Sequence, residues 1–302
     1  MEEGEKKEGN QEEFVYTDTS AAKEFRLVWN PAQVVECRTT ARGTYLEMVQ
    51  RPHLGLACYM NGEIQSAEVD EEVYHEALVY PAMAHSSTAR RILILGGGEG
   101  ATAREVLKWS SVERVDMYEW DEEVTTLFRT RFPQWGKGAW DDPRLVLHHE
   151  DVFTVFRKGN DPPVRYDVIL VDLFEPSEEV WVLFSTLASH WLAEGGAMVL
   201  YAGVRHPLYD IHPAEEWLKE ERIHSYDEHH AILSHRDVYS YKVFLPSFLG
   251  EAMFLMICPS SSSHAPSFSS PSSTGLTHDV WKAYTTWNRY TDRGTHGVFQ
   301  GV

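Results

Sequence analysis

A short apolar segment, RILIL (residues 91–95), runs directly into the glycine-rich segment GGGEG (residues 96–100). The sequence ATAREVLKW follows and has the pattern of a helix. A buried strand, a glycine turn and a helix in this order are typical of Rossmann-like folds, because the tight turn and the close approach of a ligand both require residues without side chains. The segment therefore predicts an α/β domain that binds a nucleoside.

Strands and helices alternate along the rest of this region. Further strands are predicted in RVDMYEW (114–120), RLVLHH (144–149), YDVILVD (166–172) and AMVLYAG (197–203). Apolar strands that alternate with amphipathic helices indicate a doubly wound, mostly parallel sheet covered by helices. We expect this Rossmann-like domain to span residues 85–302.

A different pattern precedes this domain. Short apolar runs in residues 45–65 are broken by Pro52 and by the turn pair Asn61-Gly62, which predicts a small antiparallel sheet. An acidic start followed by apolar residues at helical spacing predicts a helix over residues 70–83. We assign residues 15–84 to an N-terminal β domain.

Two segments are expected to lack regular structure. These are the acidic tail, residues 1–14, and a Ser/Pro-rich loop, residues 259–275. The tail is too acidic for a secretion signal, and no run approaches the ~20 apolar residues needed to span a bilayer. We therefore expect a cytoplasmic protein with no membrane partner.

Charge and composition exclude further classes of function. The 302 residues include 27 lysines and arginines against 46 aspartates and glutamates, a net charge of −19, which argues against a nucleic-acid partner and favours cationic ones. The cysteines Cys37, Cys58 and Cys258 lie far apart, so a cysteine-based zinc site is excluded and we expect small buried side chains. The neighbours His148 and His149 point to opposite faces of a strand and cannot readily share an ion. We expect no metal site.

An acidic residue lies at or shortly after the end of each of the first four predicted strands of the Rossmann-like domain. Glu99 lies in the glycine loop, and Glu119 follows about 20 residues later, where a carboxylate accepts ribose hydroxyls. The third strand is expected to end at Glu150-Asp151, where Asp151 is placed to meet an adenine edge, and Asp172 ends the most apolar strand. Because the carboxyl ends of parallel strands meet at one edge of a sheet, we expect these carboxylates to line one negatively charged cleft that attracts polycations.

The carboxylate of Glu99 also indicates the kind of nucleoside. Inside the loop it would repel a pyrophosphate, whereas it would stabilise a cationic sulfonium or ammonium group. The loop therefore favours an S-adenosyl compound over a dinucleotide. The alternative is that Glu99 only caps the following helix, with its side chain in water.

Several separated motifs resemble the polyamine aminopropyltransferases, the spermidine synthase group. They are GEIQSAEVDEEVYHEALVYPAM (62–83), LILGGGEGATAREVLKW (93–109), MYEWDEEV (117–124), EDVFTVF (150–156), YDVILVD (166–172) and the terminal RYTDRGTHGVF (289–299). Within that family, GxxQSAEVDE together with GGGEG resembles the thermospermine synthase branch. The similarity covers roughly residues 30–258 and the tail motif, and it is specific because the motifs occur in the same order.

This resemblance implies that an aminopropyl group is transferred from decarboxylated S-adenosylmethionine, as co-substrate, to putrescine or spermidine, without a prosthetic group. Asp172 would be the catalytic base and Tyr74 would orient the attacking amine. Binding of the donor is implied for Gln65, His75, Gly96, Gly98, Glu99, Glu119 and Asp151. The resemblance also implies a homodimer or homotetramer.

The acceptor side matches the family less well. Its candidate residues are Glu175, Tyr201 and Phe248. Tyr201 stands where the family usually has glutamine, and Phe174 adds bulk close to Asp172. The other departures are Gly250 and Ala252, which replace an aspartate and a tryptophan of the thermospermine branch, and Leu46, which stands in place of a glutamine on the donor side.

Two alternatives stay open beside the aminopropyltransferase. One is a catalytically impaired paralogue that binds the nucleoside and has a regulatory role; the retained Asp172 and Tyr74 argue against it. The other is an S-adenosylmethionine-dependent methyltransferase, which shares the glycine loop and the ribose acid but needs no acidic polyamine channel. The retained Glu175 and the segment VDEEVYHE argue against this second alternative.

Overall fold

The computed structural model describes residues 14–16, 27–29, 33–157, 164–174, 176–205, 236–260 and 277–285. The chain divides into two compact units, Met1–Asp70 and Glu71–Val302. The domain boundary predicted after residue 84 lies later in the chain than this division after Asp70, so the helix Glu71–His85 belongs to the second unit. Glu175, nearly all of the predicted tail and most of the Ser/Pro-rich loop lie outside the described residues.

The first unit contains antiparallel strands. β1 (Phe14–Tyr16) pairs with β2 (Leu27–Trp29). A four-stranded sheet follows in chain order, formed by β3 (Gln33–Thr39), β4 (Tyr45–Arg51), β5 (Gly55–Met60) and β6 (Glu63–Ala67). Asn61 and Gly62 join β5 to β6 with φ values of 51° and 88°, as a tight hairpin turn requires. The predicted antiparallel sheet is confirmed.

The second unit is an α/β domain. Its elements are α1 (Glu71–His85), β7 (Arg91–Gly96), α2 (Ala101–Leu107), β8 (Arg114–Tyr118), α3 (Glu122–Arg131), β9 (Leu145–His148), α4 (Val152–Val155), β10 (Tyr166–Asp172), α5 (Glu178–Thr186), β11 (Leu192–Arg205), β12 (Arg236–Leu245), β13 (Gly250–Pro259) and α6 (His278–Thr285). The seven strands form one sheet in the order β12-β13-β11-β10-β7-β8-β9. Strands β7 to β11 run parallel to one another, and β13 pairs antiparallel with both β11 and β12. The predicted Rossmann-like, mostly parallel sheet is confirmed.

The central strands are held by apolar burial. Ile169 and Val171 of β10 and Leu93 of β7 are fully buried, in one cluster with Phe184 and Leu187 from the segment that packs on the sheet. Burying a side chain of this size contributes about 1.5–3 kcal/mol. The continuous apolar run that predicted β10 therefore also explains why this strand lies at the centre of the sheet.

Some local expectations differ from the structure. Cys58 and Cys258 are buried as expected, but Cys37 is exposed on β3, with its Sγ 3.1 Å from Tyr45 Oη. Strand β3 lies at the edge of its sheet, and none of its side chains is buried. All three cysteines are free thiols. In the part of the chain that the structure describes, no helix is long and apolar enough to span a bilayer.

The strand order creates a switch point in the second unit. From β7 the chain continues to β8 and β9 on one side, and it then returns to place β10 on the other side of β7. A crevice forms at the carboxyl ends of strands where the order reverses in this way, and ligands of such sheets bind there. Gly96 and Asp172, the last residues of β7 and β10, are paired at that point.

Gly96 should be more sensitive to substitution than a glycine in open space. A Cβ atom there would collide with the Asp172 carbonyl oxygen, whereas one at Gly138 meets nothing within 4 Å. Both residues have positive φ, 87° and 92°, so they share the cost of the left-handed backbone. We expect Gly96→Ala to lose about 1–3 kcal/mol more unfolding free energy than Gly138→Ala, measured by urea denaturation. Equal losses would contradict this close approach.

Candidate functional site

Asp172 lies at the switch point with both of its carboxylate oxygens hydrogen-bonded. Tyr74 of α1 donates its hydroxyl to Oδ1 at 2.7 Å, and Thr102 of α2 donates its hydroxyl to Oδ2 at 2.5 Å. Burial and the neighbouring charge of Asp172 hold the pKa of Tyr74 well above its ordinary value, so Tyr74 remains a donor at neutral pH. The candidate catalytic pair Asp172 and Tyr74 is therefore in direct contact.

The structure adds Thr102, which the sequence analysis did not select. Thr102 lies in the first turn of α2, two residues after the glycine loop, and it is fully buried. A polar residue this close to a glycine loop at a strand end is a candidate site residue by its position in the sequence alone. The pairing with Asp172 depends on β7 and β10 being neighbours, which a single sequence does not specify.

His75, next to Tyr74 on α1, bridges two carboxylates. Its Nε2 lies 2.9 Å from Glu99 Oε1, and its Nδ1 lies 2.5 Å from the Glu71 carbonyl oxygen and 3.2 Å from Glu71 Oε2. Burial alone would lower the pKa of His75, but its bonds to Glu71 and Glu99 raise the pKa to about 10. A neutral imidazole has one N–H and can donate to one carboxylate, so only the imidazolium satisfies both.

Glu99 is buried, with 8% of its surface exposed, and it contacts His75. The alternative in which Glu99 caps α2 from the solvent is therefore wrong, and the residue before that helix, Gly100, makes no side-chain cap. Burial raises the pKa of Glu99 more than its contact with His75 lowers it, and the charges of Asp172 and Glu71 raise it further. A cation beside Glu99 would therefore be stabilised both by this carboxylate and by Asp172.

A buried ion-pair network supports His75 from behind. Arg104 of α2 binds Glu71 through two contacts, 3.0 Å and 2.8 Å, and its Nε donates to Glu105 at 2.8 Å. Although burial would raise the pKa of Glu71, the bonds from His75 and Arg104 lower it to about 2. The acidic first turn of α1 was interpreted only as a helix-dipole effect, so this role of Glu71 was missed.

Glu119 follows β8 directly, one residue later than the strand ends. Its Oε1 accepts a hydrogen bond from the Asp121 backbone N–H at 2.9 Å. A Cβ atom on Gly98 would lie 2.8 Å from Glu119 Oε2, so the glycine loop and this carboxylate are close neighbours. Burial raises the pKa of Glu119 to about 7, outweighing the backbone hydrogen bonds that lower it.

Asp151 also caps a helix, a role that was not predicted from the sequence. Strand β9 ends at His148 rather than at residues 150–151, and Asp151 is the N-cap of α4. Its Oδ1 accepts from Phe153 N and its Oδ2 from Thr154 Oγ1, both at 3.0 Å. The residue still follows a strand that runs parallel to β7, β8 and β10, at the same edge of the sheet.

Aromatic rings surround Tyr74 on the side of β11 and β13. The ring centroid of Tyr74 lies 5.5 Å from Tyr201, 6.0 Å from Phe248 and 5.6 Å from Phe254. The candidate acceptor residues Tyr201 and Phe248 are thus brought together, 6.5 Å apart. Phe254 was not selected from the sequence, where it resembles an ordinary core residue of a strand.

The departures from the family pattern lie in different environments. Phe174 is 51% exposed, two residues after Asp172, and Ala252 is fully buried in β13. A Cβ atom at Gly250 would lie 2.5 Å from Val204 Cγ1, so an aspartate there would require the Val204 side chain to shift. Leu46 is a fully buried residue of β4 in the first unit.

Two candidate residues are not placed at this site by the structure. Gln65 lies on β6 of the first unit, where its side-chain amide donates to the Glu63 carbonyl at 3.2 Å. Its donor-binding role stays a prediction. Glu175, the remaining acceptor residue, lies outside the described residues. His148 and His149, which were considered as metal ligands, have different partners, Asp116 Oδ1 at 3.2 Å and Thr125 Oγ1 at 3.0 Å respectively.

The His75 contacts should make stability depend on pH. Because the folded-state pKa of His75 is raised from 6.5 to about 10, its stabilising charge is fully present below the unfolded pKa and is lost as the pH rises through about 10. We expect the difference in unfolding free energy between wild type and His75→Gln to shrink between about pH 6 and pH 10, measured by urea denaturation. In the control Thr186→Val, which removes an uncharged hydroxyl that donates to the Val182 carbonyl, the difference should stay constant over this range. A His75→Gln difference that stays constant over this range would contradict the charged state.

A known protein family and several known proteins share much of this sequence. The family model described as "Spermine/spermidine synthase domain" matches residues 71–266. Polyamine aminopropyltransferase 2 of Pseudomonas aeruginosa is 36% identical over 208 residues, which are 65% of this chain and 54% of that protein. Polyamine aminopropyltransferase 1 of Hyperthermus butylicus is 46% identical over 122 residues, 40% of this chain and 42% of that protein. The chain thus spans about half the length of the relatives it matches.

Solved structures share the fold. Spermidine synthase from Thermotoga maritima has a TM-score of 0.67 and 23% sequence identity, covering 94% of this chain and 96% of that chain. A spermidine synthase in complex with the transition-state analogue AdoDATO has a TM-score of 0.69 and 22% identity, with the same coverage. At these identities the likeness concerns the arrangement of strands and helices.

Proposed function

The chain belongs to the spermine/spermidine synthase family, and from that premise we propose that it transfers an aminopropyl group from decarboxylated S-adenosylmethionine to a polyamine acceptor, putrescine or spermidine. Methylthioadenosine would be released. The observation that carries the proposal is Asp172 at the switch point, hydrogen-bonded to Tyr74, with Glu99 and Glu119 following the neighbouring strand ends.

The first chemical task is removal of a proton from the acceptor. An alkyl amine has a pKa near that of lysine, about 10, so at neutral pH it arrives protonated and has no free electron pair. Asp172 takes this proton as a general base. Tyr74, which donates to Asp172 Oδ1, fixes the orientation of the carboxylate and lies beside the aromatic residues on the acceptor side.

The second task is an in-line displacement. The freed electron pair of the amine nitrogen forms a bond to the methylene carbon next to the sulfonium. The carbon–sulfur bond breaks, and its electron pair remains on sulfur as a neutral thioether. Holding both substrates in this geometry is worth up to about 7–11 kcal/mol of the barrier. The residues at the strand ends therefore act mainly by binding and alignment.

The donor is assigned to the strand ends on the β7 and β8 side. Glu119 accepts the ribose hydroxyls, with Gly98 leaving space beside its carboxylate, and Gly96 keeps the turn tight against β10. The pair of Glu99 and His75 lies next to the transferred chain, whose terminal ammonium Glu99 attracts. Asp151 and Gln65 complete the donor contacts by family resemblance.

The acceptor is assigned to the aromatic side of Asp172. Tyr201 and Phe248, 6.5 Å apart by ring centroids, line a path for the methylene chain of a polyamine, and aromatic faces also attract ammonium groups. Glu175 supplies a further negative charge by family resemblance. We also propose, from the same resemblance, a homodimer or homotetramer in the cytoplasm, which light scattering and cell fractionation would test.

A product analysis tests the reaction against its alternatives. The purified protein is incubated with decarboxylated S-adenosylmethionine or with S-adenosylmethionine, each with putrescine, with spermidine or without amine, and products are weighed by mass spectrometry. We expect an aminopropyl gain on an amine from the decarboxylated donor. A methyl gain from S-adenosylmethionine would support a methyltransferase instead, and nucleoside binding without turnover would support the impaired regulatory paralogue.

Asp172→Asn should remove catalysis while donor binding persists. An amide has nearly the same shape but cannot take the proton, so we expect kcat to fall by about 10²–10⁴. The affinity for methylthioadenosine, measured by calorimetry, should change less than about threefold, since the donor contacts are with other residues. Wild-type turnover in Asp172→Asn would remove this residue from the mechanism.

Donor affinity should weaken in mild acid because of Glu119. Its pKa of about 7 means that the carboxylate loses its charge below that pH and can no longer accept two ribose hydroxyls. We expect the affinity for methylthioadenosine to fall as the pH drops from about 8 to about 6, by at most about tenfold per unit. Glu119→Gln should bind weakly with little pH dependence. An affinity in the wild type that does not vary with pH would contradict this role.

A further inference from the structure

The two oxygens of Asp172 are held by different elements. Oδ1 receives the Tyr74 hydroxyl from α1, and Oδ2 receives the Thr102 hydroxyl from α2. Each carboxylate oxygen offers about two lone-pair sites. Each oxygen therefore accepts one hydrogen bond and keeps about one free lone-pair site. An incoming amine can bind only at an oxygen whose free site it can reach.

The two oxygens of Asp172 have different surroundings. Oδ2 faces the glycine loop: a Cβ atom at Gly97 would lie 3.4 Å from Oδ2 and 3.5 Å from Thr102 Cβ. Oδ1 faces Tyr74, whose ring contacts Tyr201 and Phe248. The side of Oδ2 is thus closed by backbone and a fully buried threonine, whereas Oδ1 lies on the aromatic side assigned to the acceptor.

Thr102 is not explained by the helix in which it lies. Helix α2 begins Ala101-Thr102-Ala103, and β-branched threonine is less favourable than alanine in a helix because its side chain loses rotamer freedom. A fully buried hydroxyl also has to be hydrogen-bonded to offset its desolvation. At Thr102 the acceptor of that hydrogen bond is Asp172 Oδ2.

We propose that Thr102 is a positioning residue for aminopropyl transfer: its hydroxyl anchors Oδ2 of Asp172, which leaves Oδ1, beside Tyr74, as the oxygen that takes the proton from the acceptor amine. This inference rests on the proposed function. In the step, an N–H bond of the ammonium breaks and an O–H bond forms on Oδ1. The electron pair stays on nitrogen and attacks the methylene carbon, and the carbon–sulfur pair leaves with sulfur.

Other ionisable groups also act on Asp172. They are Tyr74 and His75 from α1, Glu99 from the glycine loop and Glu119 after β8, each coupled to Asp172 by charge. Substituting Thr102 changes none of these groups. A shift in the pH dependence of a Thr102 variant therefore reports the lost hydrogen bond itself.

The experiment compares Thr102→Val with Thr102→Ser. Valine fills nearly the same volume but cannot donate to Oδ2, so the ionised carboxylate loses one stabilising hydrogen bond and holds a proton more readily. For Thr102→Val we expect kcat to fall about tenfold and the acidic limb of the pH–rate profile to move up by about 0.5–1 unit. The KM for the donor should stay within about twofold. Thr102→Ser should restore kcat and the position of the acidic limb to near their wild-type values.

A matched control is Thr186→Val, another buried threonine, whose hydroxyl donates to the Val182 carbonyl within α5 at 2.9 Å. It should leave the limb unmoved. If Thr102→Val does not fold, Thr102→Ala replaces it, with the same expected shift. An acidic limb that is identical in wild type and in the folded variant that lacks the hydroxyl would overturn the proposal.

A second measurement does not depend on turnover. The carbon-13 signal of the Asp172 carboxylate is titrated in the protein without substrate, and its midpoint should move to higher pH in Thr102→Val and return in Thr102→Ser. A wild-type protein that transfers no aminopropyl group would contradict the proposed function. An unmoved midpoint in Thr102→Val would overturn the role of Thr102 whatever the activity.

Discussion

The candidate site depends on the parallel pairing of β7 with β10, which sets Gly96 beside Asp172. A side chain at Gly96 would collide with the Asp172 carbonyl, so glycine there is a condition for the two strand ends to meet. Once they meet, the loop that follows Gly96 and the first turn of α2 lie against the carboxylate. Thr102 reaches Asp172 for this reason, and Tyr74 approaches the other oxygen from α1. The position of Asp172, the proposed catalytic base, is thus a consequence of strand order and of one glycine.

Charge balance is the second constraint. Burying several carboxylates together is unfavourable, because each loses its hydration and they repel one another. Nearby cations or hydrogen bonds must offset this cost. Behind the site Arg104, Glu71, His75 and Glu99 follow each other with alternating charge, at contacts of 2.8–3.2 Å. Glu119 is compensated mainly by backbone N–H groups, and burial raises its pKa to about 7. Partial compensation of this kind keeps the fold stable while the edge of the sheet stays attractive to a sulfonium or an ammonium ion.

Much of the fold could be predicted because its signals are local. Apolar runs alternating with helical periodicity predicted β7 to β11, and the pair Asn61-Gly62 predicted a hairpin. Strand ends were placed too late at Glu119 and at residues 150–151. Pairing stops at Tyr118 and His148, and a single sequence does not show where pairing between strands stops. The convergence of Glu99 and Asp172 followed from the rule for parallel strand ends. The roles of His75 in bridging Glu71 to Glu99, and of Thr102 and Phe254, could not be predicted, because these contacts join elements whose packing is not encoded by periodicity.

The central claim is that donor and acceptor meet at Asp172, with the nucleoside on the Glu119 side and the amine on the aromatic side. A crystal structure of the protein with methylthioadenosine and putrescine tests it most directly. We expect ribose hydroxyls on Glu119, the thioether directed towards Asp172, and an amine nitrogen within hydrogen-bond reach of Oδ1, about 2.6–3.2 Å. A nucleoside bound away from Glu119, or an amine held at Oδ2 on the Thr102 side, would contradict it.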